Sequence, residues 1–426
     1  NYFDYGYEPP SDGRPVAVHA EVAPCPWNPT HKLVQVGLKG KVVAKSELGP
    51  RNLVFLVDVS GSMESEDKLP LLRAGLRMLV ADMKAADRIA IVAYAGASGL
   101  VLPPTSGEHK QTILRALDNL AAGGSTNGGA GISLAYAQAR KHFIQGGINR
   151  VVLASDGDFN VGVTSHDELV SLVEQQRKSG VYLSVLGFGR GNLNDHTMEQ
   201  LADKGNGNYA YIDSEREATK VLVTEAAGTL VTVARDVKLQ VEWNPAAVSA
   251  YRLIGYENRM LAAQDFKDDR KDAGELGSGH DVTGIYEVVP AGTPAPGGKL
   301  DDLKYQRPVA APKPGGELLT VKVRYKPEGS DLSSELQLPV TAADKFGPGS
   351  DALRLAAAVA AFGERLRDPG GRDGMSFADI AALAETVQLP DPRGDRKEFI
   401  RLVREAAKLL GDVPVKIARL EDDELG

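Results

Sequence analysis

Two kinds of apolar pattern divide the chain into distinct parts. Between residues 51 and 232, short continuous apolar runs alternate with longer stretches in which apolar residues recur every three or four positions. Continuous runs are typical of strands buried on both faces of a parallel sheet, and the longer stretches are typical of amphipathic helices. The pattern predicts a doubly wound α/β domain. Its predicted strands are residues 53–57, 88–94, 151–154, 182–186 and 208–212.

The flanking segments alternate between apolar and polar residues instead. Examples are residues 16–22, 237–243 and 319–325. A period of two is typical of strands that have one solvated face. Because such segments occur on both sides of the α/β part, we expect the α/β domain to be inserted into a single β-rich, sandwich-like domain.

Towards the end of the chain the pattern becomes helical. Apolar periodicity at 353–366, 377–387 and 396–410 predicts a C-terminal helical segment. The predicted domain ranges are 1–50 for the first part of the β-rich domain, 51–232 for the α/β domain, 233–345 for the rest of the β-rich domain, with a Pro/Gly-rich loop at 290–316, and 346–426 for the helical segment.

Charge and composition exclude several classes of partner. The 426 residues include 49 Lys and Arg against 57 Asp and Glu, and this net charge of −8 provides no basic surface for nucleic acid. No stretch approaches the ~20 consecutive apolar residues of a transmembrane helix. Cys25 is the single cysteine, so no disulfide forms within the chain. Because the chain begins with Asn1 rather than Met, we expect a processed or truncated product whose targeting segment, if any, lies outside it.

The first predicted strand of the α/β domain ends in a run of oxygen-bearing side chains. Asp58 follows the apolar residues 53–57, and Ser60 and Ser62 follow it at alternate positions. Ligands of parallel sheets bind at the carboxyl ends of the strands, where these side chains are expected to lie. Carboxylate and hydroxyl oxygens suit Mg²⁺, Mn²⁺ or Ca²⁺ better than Zn²⁺ or Cu²⁺. The run therefore predicts a site for a hard divalent cation.

Two later segments offer further ligands to the same site. Thr126 lies in a glycine-rich loop, and Asp156 follows a second buried strand. In this order the residues resemble the metal-ion-dependent adhesion site (MIDAS) of the von Willebrand factor type A (VWA) domain family, which reads Asp-x-Ser-x-Ser, then Thr, then Asp. The resemblance implies a Rossmann-like VWA fold. It also implies metal ligands at five positions, namely Asp58, Ser60, Ser62, Thr126 and Asp156.

Further segments resemble a narrower group of bacterial VWA proteins, the YfbK-like group, which carries a flanking domain of unknown function. These segments are residues 1–5, 21–27, 96–104, 157–162 and 251–259. Members of the group commonly carry an export or lipoprotein signal. The resemblance therefore implies a cell-envelope or extracytoplasmic location, with a lipoprotein precursor as one form of it.

Coordination chemistry indicates how such a site would work. If Ser60, Ser62 and Thr126 bind the cation directly while Asp58 and Asp156 act through water, the cation stays electrophilic. It then accepts an Asp or Glu carboxylate from a protein partner. We therefore expect a metal-dependent binding or adhesion module rather than an enzyme. The sequence has no Walker A loop and no His-Glu-x-x-His motif, and Ser60 stands where a haloacid-dehalogenase-type phosphotransferase would carry a second Asp.

Two alternatives stay open at this point. The VWA domains of metal chelatases and their relatives dock on AAA+ ATPases, so the chain could instead be an assembly or regulatory subunit. The cation could also serve only to stabilise the fold, with the flanking domains performing the function.

Overall fold

The chain forms two compact units. The computed structural model describes residues 2–44, 46–95, 97–123, 128–157, 166–190, 194–224, 231–256, 260–269, 271, 273–293, 316–327, 329–330, 332–341, 349–369 and 374–412. One unit, here called the α/β unit, comprises residues 42–236 and 272–279, and the other, the β-rich unit, comprises residues 1–41, 237–271 and 280–426. The four domain ranges given by the sequence stay predictions.

Strands and helices follow one another along the chain as the apolar pattern predicts in outline. The strands are β1 (Val16–Cys25), β2 (Asn28–Gly40), β3 (Arg51–Asp58), β4 (Arg88–Ala95), β5 (Ala97–Ser106), β6 (Ile148–Ser155), β7 (Tyr182–Phe188), β8 (Tyr209–Ile212), β9 (Thr232–Trp243), β10 (Val248–Ile254), β11 (Gly274–Gly277), β12 (Asp281–Pro290), β13 (Glu317–Pro327) and β14 (Ser334–Thr341). The helices are α1 (Leu69–Asp82), α2 (Lys110–Asp118), α3 (Gly128–Lys141), α4 (His166–Arg177), α5 (Asp195–Lys204), α6 (Glu215–Thr219), α7 (Asp351–Arg367), α8 (Phe377–Glu385) and α9 (Asp395–Leu410).

The α/β unit is a doubly wound sheet, which confirms the predicted fold class. Its strand order is β5-β4-β3-β6-β7-β8, and every neighbouring pair is parallel except β4 and β5. β3 is buried along its whole length. Leu53, Phe55 and Val57 contribute to the apolar core that includes α1 and α2, and Val54 and Leu56 contribute to the core that includes α3, α4 and α5. Helices thus cover both faces.

The antiparallel strand β5 differs from the sequence prediction. The apolar pattern predicts no strand at residues 97–106, where Pro103 and Pro104 interrupt it. The structure places these residues at the edge of the sheet, paired only with β4. Proline is tolerated on an edge strand because the missing amide hydrogen is not needed by a second neighbour.

The amino end of β3 is fixed by an ion pair. The Arg51 guanidinium donates to Asp87 Oδ2 at 2.6 and 3.1 Å, and the Arg51 amide donates to Asp87 Oδ1 at 2.9 Å. The Lys84 amide donates to Oδ2 at 2.8 Å. Burial alone would raise the pKa of Asp87, but these hydrogen bonds outweigh it and hold the pKa below its ordinary value. Asp87 is a carboxylate satisfied by its own protein.

The β-rich unit joins strands from both ends of the chain. One sheet has the order β1-β2-β12-β10, in which β2 pairs with β12 and Gln35 lies opposite Ile285. In the other sheet the unit contributes the order β9-β13-β14, with β9 counted from Val237 onwards. Helix α7 packs on the first sheet through Leu355, which shares a core with Leu33 and Ile285, and α8 and α9 pack against α7. Because β2 and β12 flank the α/β unit in sequence, the predicted insertion is confirmed.

Two features of the β-rich sheets concern single residues. In β9 the alternation predicts Val237 and Leu239 on the buried face, but they are only half-buried, whereas Lys238 is buried and its Nζ donates to the Asp268 carbonyl at 2.7 Å. Apolar periodicity cannot predict a buried lysine whose ammonium is hydrogen-bonded to a backbone carbonyl.

In β1, Cys25 is buried, and burial raises the pKa of its thiol to about 12.

No helix in the described ranges has both the length and the apolar composition that crossing a membrane requires.

Candidate metal centre

Two neighbouring strands deliver carboxylates to one edge of the α/β sheet. β3 ends at Asp58, and its parallel neighbour β6 ends at Ser155, directly before Asp156. The register places Val57 opposite Ala154, so the two strands end at the same level. Asp58 and Asp156 are both 0% exposed. The structure therefore brings together two carboxylates that lie far apart in the sequence.

The turn after β3 adds two hydroxyl groups to this edge. The Ser60 amide donates to Asp58 Oδ1 at 2.9 Å, which folds the chain back over the carboxylate. A single 3₁₀ turn, Gly61–Glu64, follows and buries Met63. The Oγ atoms of Ser60 and Ser62 lie 3.0 Å apart. The alternate spacing of the two serines thus places both hydroxyls on the same side of the turn.

The distance between the hydroxyl oxygens fits a small cation. Two oxygens at adjacent corners of a Mg²⁺ octahedron, each about 2.1 Å from the ion, lie about 3.0 Å apart. Ser60 and Ser62 show this separation. Within the described part of the chain, no group of three or more His, Cys, Asp and Glu side chains is placed to hold a metal ion. The separation of the two serine oxygens is the observation that fits a small cation bound by hydroxyl oxygens.

The Asp58 carboxylate is surrounded by hydrogen-bond donors. Its Oδ2 accepts from Ser155 Oγ at 3.0 Å and from the Tyr94 hydroxyl at 3.4 Å, while Oδ1 accepts from the Ser60 amide. Burial raises the pKa of Asp58 above its ordinary value, although the hydrogen bonds from Ser60 and Ser155 oppose the shift. Burial also raises the pKa of Tyr94, so the phenol stays a donor. With both oxygens accepting such bonds, Asp58 suits an indirect contact with a cation through water.

A lysine lies at the same edge and contacts the second carboxylate. Lys68 Nζ donates to Asp156 Oδ2 at 2.8 Å and to the Ser62 carbonyl at 2.9 Å. The Lys68 side chain is 10% exposed. Its aliphatic part packs on Gly189, where a Cβ atom would lie 2.2 Å from Lys68 Cε. Gly189 has φ +79°, a conformation that favours glycine.

The fifth predicted ligand, Thr126, lies outside the described residues. The glycine-rich loop that contains it begins at Gly123, whose amide donates to the Val59 carbonyl at 2.7 Å. This bond attaches the start of the loop to the turn that carries Ser60 and Ser62. The role of all five residues as metal ligands stays a prediction.

Three residues of the site are absent from the sequence-based prediction. Ser155 had a detectable signal, because a hydroxyl at the end of a buried strand, directly before Asp156, occupies the same edge. Lys68 and Tyr94 had none: their contacts to Asp156 and Asp58 join residues 88 and 36 positions apart. Such contacts depend on strand order, which a single sequence does not provide.

Comparisons with known families decide the assignment. The model of the von Willebrand factor type A domain matches residues 52–225, and the model described as "Uncharacterized protein YfbK, C-terminal" matches residues 228–409. A third model, von Willebrand factor, matches residues 1–35. The Escherichia coli (strain K12) protein YfbK is 44% identical over 413 residues, which cover 95% of this chain and 71% of YfbK. The chain belongs to the YfbK family. The resemblance to VWA proteins and to the YfbK-like group is thereby confirmed, and the MIDAS motif stays a prediction.

Other proteins match the chain at lower sequence identity. Inter-alpha-trypsin inhibitor heavy chain H3 of Mesocricetus auratus is 24% identical over 263 residues, which cover 56% of this chain and 29% of the heavy chain. The structure of a von Willebrand factor type A protein from Catenulispora acidiphila is 15% identical with a TM-score of 0.45. The match covers 94% of this chain and 90% of the Catenulispora chain. The structure of BatB from Bacteroides thetaiotaomicron is 19% identical with a TM-score of 0.36, and the match covers 41% of this chain and 97% of BatB. The assignment to the YfbK family therefore depends on the E. coli protein.

Proposed function

We propose that this YfbK-family chain captures a protein partner through a divalent cation at the edge of its α/β sheet. VWA domains commonly bind a divalent metal and mediate protein interactions. In the proposed centre, Ser60 and Ser62 hold Mg²⁺, with Mn²⁺ or Ca²⁺ as substitutes. Asp58 and Asp156 contact the cation through water, and Thr126 completes the set. The partner supplies an Asp or Glu carboxylate.

One observation supports this proposal above all. Two neutral hydroxyls lie at the same edge of the sheet as two carboxylates that already accept hydrogen bonds from the protein. The Ser60 and Ser62 oxygens have the spacing of adjacent octahedral ligands. Asp58 accepts bonds from Ser60, Ser155 and Tyr94, and Asp156 accepts one from Lys68. A cation held in this way keeps most of its positive charge, so an external carboxylate is its natural remaining ligand.

Binding is a better account of the site than catalysis. VWA and YfbK relatives are typically not enzymes. The two site hydroxyls share a hydrogen bond at 3.0 Å, and this separation also suits two ligands of one ion. A serine nucleophile would instead need a general base at that distance. The expected cell-envelope location stays a prediction, as does the alternative of docking on an AAA+ ATPase.

The first test is isothermal titration of Mg²⁺ and Mn²⁺ into chelator-treated protein, with the variant Asp58→Ala alongside. Loss of a residue that orients a metal site typically weakens affinity about 10- to 100-fold. We expect this loss in Asp58→Ala. Asp118→Ala is the matched control, because Asp118 is a carboxylate of the same unit that forms surface ion pairs with Arg73 and Arg77. It should bind as the wild type does.

Partner capture is tested with an immobilised peptide that contains Asp, compared with the same peptide containing Asn. We expect binding of the Asp peptide in Mg²⁺ and its loss in chelator or in Asp58→Ala. Chelator-resistant binding by Asp58→Ala would contradict the proposal. Metal-independent binding to an AAA+ ATPase would favour the regulatory-subunit alternative.

A further inference from the structure

The Lys68 ammonium lies within the candidate metal centre, where a second positive charge is unexpected. It contacts Asp156 Oδ2 at 2.8 Å, and the two side chains are 10% and 0% exposed. We propose that Lys68 is a resident counter-cation of the centre, which occupies Asp156 Oδ2, limits the affinity for the divalent cation and so leaves that cation dependent on the partner's carboxylate. This inference rests on the proposed function.

The charge balance supports this role. Among the described residues, Asp58 and Asp156 bring two carboxylates to the edge of the sheet, and the Lys68 ammonium offsets the negative charge of Asp156. A nearby positive charge repels an arriving divalent ion, and the repulsion is strong where water is excluded. An oxygen that accepts a hydrogen bond from an ammonium is also a weaker donor to a metal. Both effects reduce the affinity for the cation and preserve its attraction for an outside carboxylate.

The packing shows that the ammonium is held in place. Its second bond goes to the Ser62 carbonyl, within the turn that carries both candidate hydroxyl ligands. Its aliphatic part lies on Gly189 so closely that a Cβ atom there would be 2.2 Å from Lys68 Cε. Lys68 therefore connects the segments after β3, β6 and β7, and it has little room to turn away when a cation arrives.

Two variants isolate the charge from the packing. Lys68→Met keeps an unbranched apolar side chain against Gly189, and Lys68→Gln keeps a donor toward Asp156 without a charge. Lys68→Arg retains the charge. Lys110→Met is the matched control in the same unit, because the Lys110 ammonium is exposed and donates to the Ala81 carbonyl. All variants are made in the 426-residue chain.

The measurements are Mn²⁺ titration by calorimetry, capture of the Asp peptide at saturating Mn²⁺, and thermal unfolding in chelator and in Mn²⁺. We expect Lys68→Met and Lys68→Gln to bind Mn²⁺ about tenfold more tightly than the wild type, because the repulsion is removed. At saturating Mn²⁺ they should capture the Asp peptide more weakly. In chelator they should unfold at a lower temperature than the wild type. Adding Mn²⁺ should raise their unfolding temperature by more than it raises that of the wild type, because tighter binding stabilises the folded state more.

The outcomes separate this inference from the proposed function. Binding of Mn²⁺ by the wild type, with equal or weaker binding by both charge-free variants, would overturn the role of Lys68 and leave the proposed function intact. Binding by the charge-free variants but not by the wild type would support the counter-cation and overturn metal-dependent capture. Absence of binding by every variant would overturn both. A variant that does not fold in chelator but folds in Mn²⁺ would support the inference.

Discussion

A buried aspartate lies at each end of strand β3, and the pKa values of the two are shifted in opposite directions. At the amino end, Asp87 is bound by the Arg51 guanidinium and by two backbone amides, and its pKa is lowered. At the carboxyl end, burial raises the pKa of Asp58, which accepts hydrogen bonds from a serine amide, a serine hydroxyl and a phenol. The first carboxylate is stabilised by its own protein, whereas the second is the one that we propose acts in the metal centre. The comparison therefore sets a residue that maintains the fold against a candidate functional residue.

The largest expected effect is on the amino end. Asp87→Asn removes the buried counter-charge of the Arg51 guanidinium and leaves it only the more exposed Asp82 carboxylate at 3.7 Å. Because breaking a buried ion pair is costly, we expect the free energy of unfolding to fall by about 3 kcal/mol. Cation affinity should not change. Urea unfolding measures the loss, with Asp118→Asn as a surface control that should cost no more than about 1 kcal/mol. Equal losses in the two variants would remove the contrast between the ends of β3.

The matching change at the carboxyl end should act on binding instead. Asp58→Asn is expected to weaken Mg²⁺ affinity about 10- to 100-fold, or about 1.4–2.7 kcal/mol. Its effect on unfolding in chelator should be smaller than that of Asp87→Asn, because a carboxylate with a raised pKa is not stabilised in its charged form. Calorimetry and urea unfolding of the same sample check both parts. A loss of stability as large as that of Asp87→Asn would show that Asp58 is mainly structural.

A glycine substitution sharpens the comparison by testing how tightly the carboxyl end is packed. Gly189→Ala adds a Cβ at φ +79° and 2.2 Å from Lys68 Cε, so we expect a loss of about 2 kcal/mol. Gly180→Ala is the matched control: its φ is +80°, but the nearest atoms, in Phe143, lie 3.4 Å away. Thermal unfolding should show a smaller loss for Gly180→Ala. Identical losses would mean that backbone strain alone decides the outcome.

The smallest expected effect is a dependence on pH at the amino end. The pKa of Asp87 is lowered below its ordinary value of 3.8, so its stabilising contribution is present above about that pH and is lost as pH falls through the folded-state pKa. Wild-type stability should therefore decrease below about pH 4 more steeply than that of Asp87→Asn. Urea midpoints between pH 3 and pH 6 measure the difference. Parallel curves would indicate that the ion pair contributes little.

Strands are predictable from this sequence where the apolar pattern along the chain directly reflects which side chains are buried. The continuous apolar run 53–57 predicts β3 because only a strand buried on both faces needs it, and helices indeed cover both faces. Period-two alternation predicts β13, where Leu319, Val321 and Val323 are buried and the alternate residues Thr320, Lys322 and Arg324 are half-buried. The occurrence of such strands on both sides of the α/β part predicts the insertion that β2 and β12 confirm.

The remaining features depend on tertiary contacts that a pattern does not contain. β5 has Pro103 and Pro104, which only its edge position makes compatible with a strand. Lys238 is buried in β9, where its ammonium donates a hydrogen bond to the Asp268 carbonyl. At the site, the order of Asp58, Ser60 and Ser62 is readable from the sequence, but the approach of Lys68 to Asp156 depends on which strand lies beside β3.

The buried Cys25 makes the protein convenient for site-specific labelling. Thiol reagents attack the thiolate, and a side chain that is 3% exposed with a pKa of about 12 offers almost none at neutral pH. A cysteine introduced at an exposed position, such as Leu100→Cys on β5, would therefore be the one readily modified thiol, because the sequence contains no other cysteine. A fluorophore attached there can report the binding of a cation or a partner without replacing the native cysteine.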